Sequence, residues 1–183
     1  LIVTTFITFL FLSAFFSSSE IAFTAINRLK LRNLIQKDEK LCSRFEKIFK
    51  NPKRLLTAIL IGNNIANVAT SATATAVLLK TLTELGIQNL AASMSIITIT
   101  VTIVLLIFGE ITPKTIALKQ PEKLACFLSR YMLYTLMILS PIIFIFDLLT
   151  QIITKLFGIQ NNSDQKLITL EEMKTMVDVG GEE

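Results

Sequence analysis

Three stretches of this chain carry no charged residue at all: residues 1–19, 55–79 and 85–109. A hydrocarbon core about 30 Å thick is crossed by roughly 20 helical residues, so blocks of this length and polarity read as membrane-spanning helices. Composition agrees, because 52% of the 183 residues are hydrophobic and 17% are charged, too little charge for the surface of a soluble domain of this size. The expected fold is an all-α integral membrane protein. The sequence contains no histidine, which excludes histidine acid–base catalysis, histidine metal ligation and the serine–histidine hydrolase sets. The apolar blocks hold neither a nucleophile beside a base nor paired aspartates, so no enzymatic activity is expected. What remains is oxygen chemistry, from carboxylates, hydroxyls, amides and carbonyls.

The chain opens on Leu1 and stops just past Gly180-Gly181, and is read as a piece of a longer protein. Residues 1–16 lack the basic flank and the small-residue cleavage pattern of a signal peptide, and are kept as a span. Orientation follows from the basic residues, since loops rich in Lys and Arg are retained in the cytoplasm. Ten of the 18 basic residues fall between Arg28 and Arg54. In that stretch Leu29, Leu31, Leu34 and Ile35, then Leu41, Phe45, Ile48 and Phe49, read as short amphipathic helices ending at Asn51-Pro52. The loop after the second span carries only Lys80 and Glu84, whereas Lys114, Lys119, Lys123 and Arg130 follow the third. Hence the N-terminus is expected outside, with spans at about residues 1–26, 55–79 and 87–109 and a cytoplasmic helical loop over 28–54. Cys42 and Cys126 then both face the cytoplasm, and no disulfide is expected.

The fourth apolar block, 124–157, is interrupted by Arg130, Asp147 and Ser140-Pro141. Either it crosses the membrane, or it forms a bent juxtamembrane helical belt over about 121–157 that leaves the tail inside. The tail favours the belt. Its Thr169 and Glu172 make a capping box that opens a short soluble helix within 168–183, suited to leading into a cytoplasmic domain.

Ionisable and amide side chains inside a span are costly, so they are the functional candidates. In the first span Ser13, Ser17 and Glu20 fall at i, i+4 and i+7, one face of a helix, which Thr24 continues. Serines can instead bond to their own helix and pack as small residues, and for Ser18 that reading is preferred. The second span holds Gly62-Asn63-Asn64-Ile65-Ala66-Asn67. Asn63 and Asn67 share a face with Thr70, while Asn64 lies about 100° round the helix. Such amides are either interhelical glue, at about 0.6 kcal/mol per contact, or oxygen ligands for a cation. The small-residue run 69–76 reads as a packing surface.

The third span ends Phe108-Gly109-Glu110-Ile111-Thr112-Pro113-Lys114. Pro113 has no N–H to give the carbonyl four residues back, so the Gly109 carbonyl is expected to be freed beside the Glu110 carboxylate. A free carbonyl next to a carboxylate is half a site for a hard cation; the competing reading pairs Glu110 with Lys114 at i+4. Hydroxyls, amide oxygens, a carbonyl and carboxylates with no soft ligand suit Mg2+ or another hard cation rather than zinc or copper. Glu20 reads either as a partner for a basic residue or as a coupling-ion ligand. Mn2+ and Co2+ accept the same oxygen ligands.

These motifs resemble the transmembrane domain of the CorC/CNNM family of magnesium transporters. The resemblance rests on Ser13-Ala14-Phe15-Phe16-Ser17-Ser18-Ser19-Glu20, Asn27-Arg28, the Gly62 to Asn67 motif and the Phe108 to Lys114 motif, in that order, with the capped helix from Thr169 as lead-in to a further domain. It implies a homodimer with three transmembrane helices and a non-spanning belt in each subunit. It also implies magnesium export across the plasma membrane, with Na+ as the expected coupling ion. ATP would act as a regulator at a CBS-domain pair that this chain does not contain. Cation ligands would map to Ser13, Ser17, Asn63 or Asn67, Gly109 and Glu110, with Glu20, Asn64, Pro113 and Lys114 in coupling or structural roles. The bilayer and the CBS pair are the other expected partners, with no nucleic acid. A membrane magnesium sensor or scaffold that regulates another transporter is the alternative.

Overall fold

The structure, a computed structural model, describes residues 2–27, 30–31, 38–86 and 89–157. Every regular element among them is helical. Three helices are long and apolar enough to cross a membrane: Ile2–Thr24 (α1), Pro52–Glu84 (α3) and the continuous run Ala91–Lys119. At 1.5 Å per residue α1 alone is about 34 Å long.

Local sequence sets where these helices begin and end. Asn51 caps α3 by accepting the Arg54 N–H at 3.0 Å, and Pro52 sits in the first turn, where its missing N–H has no helical partner to lose. After α3 the chain turns through Gly86 at φ +80°, a conformation glycine adopts without a Cβ penalty. Asn89 caps the next helix through the Ala92 N–H at 3.2 Å.

The third run is not uniform. It is α-helical over Leu90–Val104 (α4), π-helical over Leu105–Ile111, and α-helical again over Thr112–Lys119 (α5). The sequence predicts a ladder weakened at Gly109, and the structure resolves that weakness by changing register. The Thr112 N–H donates to the Ile107 carbonyl five residues back, so Pro113 falls in the first turn of α5, where a missing donor is tolerated. The helix thus runs ten residues beyond the end of the uncharged block without a kink-inducing gap.

In the basic loop a short helix, Glu39–Phe49 (α2), is capped by Asp38, which accepts from Lys40 and Leu41 at 2.9 and 3.2 Å. It buries Phe45 and Ile48. Phe45 stacks on Phe49, and both rings lie 6.2 Å from Phe23 of α1. Most of the other amphipathic helix expected in this loop lies outside the described residues. The fourth apolar block forms Pro121–Ile138 (α6) and Ser140–Leu156 (α7), a pair bent at the break between them. Pro141, expected in mid-helix, stands instead in the first turn of α7, so the proline starts a helix rather than bending one.

The chain divides into two compact units, Leu1–Ile143 and Phe144–Glu183. In the first, one apolar core joins the end of α1 to α2, the start of α3 and α6 through Phe23, Phe45, Ile48, Leu55, Ile59 and Met132. A smaller core at the other end of the spans joins α3 and α4 through Ala74, Ile97 and Val101, with Phe6 of α1 against it. The described part of the second unit is the rest of α7 and Phe157, with apolar side chains that are largely exposed. The capping box at Thr169–Glu172 and the helix it predicts lie outside the described residues.

Candidate cation site

Between the two apolar cores, α1 presents its polar face to α3 and to the π-helical stretch. Ser13 and Ser17 are both completely buried. The Ser13 hydroxyl is 2.6 Å from Asn67 Oδ1 and 3.2 Å from the Gly109 carbonyl oxygen. One turn along, the Ser17 hydroxyl donates to Asn63 Oδ1 at 3.3 Å. Residues 54 and 96 positions apart in sequence are thereby brought to one point.

Close approach is possible because two glycines stand where the helices meet. A Cβ on Gly109 would lie 2.7 Å from the Ser13 hydroxyl oxygen, and a Cβ on Gly62 would overlap the Phe16 ring. Gly109 lies within the π-helical stretch, and its carbonyl, four residues before the N–H-less Pro113, accepts from a serine on another helix.

Electrostatically this cluster is rich in lone pairs. The Ser13 hydroxyl lies within hydrogen-bond range of two acceptor oxygens at once, the Asn67 amide and the Gly109 carbonyl. A hard cation would satisfy such a set, and protein dipoles held in place in a dry interior act on it more strongly than in water. Among the described residues no three His, Cys, Asp or Glu side chains gather as a metal group. Most oxygens for a cation would therefore come from neutral groups.

One helical turn further lie three charges. Lys114 Nζ is 3.1 Å from Glu20 Oε2 of α1 and 3.2 Å from Glu110 Oε1 of its own helix. The i+4 pairing of Glu110 with Lys114 is thus formed, and Glu20 has the basic partner that was one of its two readings. All three groups are partly exposed, in contrast to the sealed serines, so the charged end of the site is its accessible end. The Glu110 carboxylate is turned to Lys114 rather than into the serine–asparagine cluster, although its backbone adjoins Gly109.

The remaining candidates take other places. Asn64 faces away, its amide donating to the Leu60 carbonyl at 3.0 Å. Thr70, on the Asn63/Asn67 face, is buried but spends its hydroxyl on the Ala66 carbonyl of its own helix. Thr24, expected to extend the serine face, bonds to the Glu20 carbonyl at 2.6 Å. Ser18 and Ser19 likewise bond to their own helix at Ala14 and Phe15. Two contacts were not foreseen from sequence. Phe16 packs onto Gly62, and buried Glu122 of α6 accepts the backbone N–H of Asn27 at 3.2 Å, tying the end of α1 to the belt.

Comparison with known proteins places this arrangement in a family. Residues 4–183 match the family described as the cyclin M (CNNM) transmembrane N-terminal domain, and the chain belongs to that family. It is 32% identical over 173 residues to a UPF0053 protein of Haemophilus influenzae, covering 94% of this chain and 40% of that protein. It is 33% identical over 168 residues to the UPF0053 inner membrane protein YfjD of Escherichia coli, covering 91% and 37%. A protein of H. influenzae named polyamine export protein is 25% identical over 178 residues, covering 93% and 40%. The chain spans about two fifths of the length of these curated relatives. It is a multi-pass membrane protein of that family.

Proposed function

We propose that this chain is the membrane-embedded part of a magnesium transporter that moves Mg2+ out across the plasma membrane, driven by Na+ entry. It works by alternating access at the Ser13/Asn67/Gly109 cluster, with Ser17, Asn63 and Glu110 completing the ligand set. The observation that carries the reading is the convergence of a hydroxyl, an amide oxygen and a backbone carbonyl from three helices around the buried Ser13. A site sealed on one side by buried serines and open on the other to Glu20 and Glu110 suits a carrier caught facing one compartment. The protein acts as a homodimer, with its N-terminus outside and its C-terminus leading to a cytoplasmic CBS-domain pair at which ATP regulates it. It carries out no chemical step.

Proteoliposomes loaded with a Mg2+ dye test the reading, with and without a sodium gradient, against Glu110→Ala. Sodium-dependent Mg2+ flux that the variant loses supports it. Binding without flux in a folded protein moves the chain to the alternative role of sensor or scaffold.

A second cargo class has its own observation. The Glu20–Glu110 pair already holds an alkylammonium, the Lys114 head, at 3.1 and 3.2 Å, and one relative is named a polyamine exporter. Spermidine flux in the same vesicles, unaffected by Mg2+, would favour that cargo.

A further inference from the structure

We propose that Lys114 is a resident cation of the site, whose ammonium neutralises Glu20 and Glu110 in the empty state and which an arriving divalent ion must displace from Glu110. This rests on the reading of the cluster as a cation path. Lys114 is the one cationic side chain placed against both carboxylates among the described residues, and it reaches them from two sides. Glu110 lies one turn before it on the same helix, while Glu20 comes from α1.

That geometry allows exchange rather than simple loss. The lysine head is a compact charge on a four-carbon stem. It can leave Glu110 and remain attached to Glu20, so no carboxylate is stranded unpaired when a metal ion takes Glu110. The three groups are only partly buried, which gives the head room to move. The serine–asparagine cluster, by contrast, has no charged group of its own. Two carboxylates and one ammonium sum to a single negative charge, so a divalent ion entering while Lys114 stays in place leaves an excess positive charge. Removing the ammonium leaves a doubly negative empty site that a divalent ion neutralises. The lysine therefore weakens equilibrium binding and hastens release, which is the balance a carrier needs.

A purely structural ion pair between α1 and α5 makes the opposite prediction: removing it loosens the helices and weakens binding. Mg2+ titration calorimetry on the purified chain separates the two. Lys114→Met should bind Mg2+ at least roughly tenfold more tightly and turn over more slowly in vesicles, and Lys114→Gln should do the same if the Met variant does not fold. Lys114→Arg, which keeps the charge, should bind close to the wild-type constant. Neutral variants that bind Mg2+ equally or more weakly overturn the inference. Glu110→Ala run alongside distinguishes the failures. If it still binds Mg2+, the site reading itself falls; if it loses Mg2+ while neutral Lys114 variants fail to tighten, only the resident cation falls.

Discussion

Gly62 and Gly109 are the residues on which helix approach depends. Adding a methyl at 62 places it within the Phe16 ring, which is itself buried against its neighbours. Overpacking of that kind costs about 1–3 kcal/mol, so Gly62→Ala should lower thermal stability in detergent while leaving helical content intact, as read by circular dichroism melts. Gly109→Ala acts differently, because its methyl meets the Ser13 hydroxyl at 2.7 Å. It should push that oxygen away from the carbonyl and weaken Mg2+ affinity at least roughly tenfold, a loss that Gly62→Ala should not share. A normal affinity in Gly109→Ala would mean that the carbonyl and Ser13 do not act together. Much of this was legible from residue types alone: Ser13 and Ser17 on one face, Asn63 and Asn67 on another, and Asn64 turned away. The role of Lys114 was only half legible. Its i+4 relation to Glu110 is written in local sequence, but its pairing with Glu20 joins positions 94 apart, and nothing local announces which helix will lie alongside.

At the scale of elements, the uncharged blocks declare the spans because hydrocarbon admits little else. The π-helical stretch was not readable in the same way. Gly109 and Pro113 signal a weak point in the ladder, yet a kink, a helix end and a register change all answer that signal equally well. The tertiary partner, the Ser13 hydroxyl within hydrogen-bond range of the Gly109 carbonyl, stands on another helix and is not announced by local sequence. A direct test removes the extra residue. Deleting Ile107 should return Leu105–Ile111 to an α-helical ladder and rotate Gly109 and Glu110 by about 100° relative to the preceding helix. The expected result is unchanged helicity with Mg2+ binding abolished; retained binding would show that the π-helical register is dispensable. Pro141 carries a related lesson, since a proline reads as a break but does not say whether it bends a helix or begins one.

For the whole molecule, one apolar core ties the end of α1 and the start of α3 to α2 and α6, and another ties α3 to α4 with Phe6 of α1 against it, with the polar cluster between them. The topology proposed from basic residues rests on fewer free charges than the sequence suggests, because Lys114 is engaged with Glu20 and Glu110. Single cysteines in a Cys42→Ser, Cys126→Ser background check it with an impermeant maleimide. Leu85→Cys, at an exposed position after α3, should label in intact cells. Lys123→Cys and Gln165→Cys should label only after permeabilisation, and external labelling of Gln165→Cys alone would make the α6–α7 pair a fourth span.

A hard cation bound where Ser13, Asn67 and Gly109 meet can be located directly. Mn2+ accepts the same oxygen ligands as Mg2+ and scatters anomalously, so crystals grown with Mn2+ locate it directly. One peak per chain is expected within coordination distance of Asn67 Oδ1 and the Gly109 carbonyl, with Glu110 turned toward it and Lys114 moved off. A peak held elsewhere, with this cluster unchanged and metal-free, would contradict it.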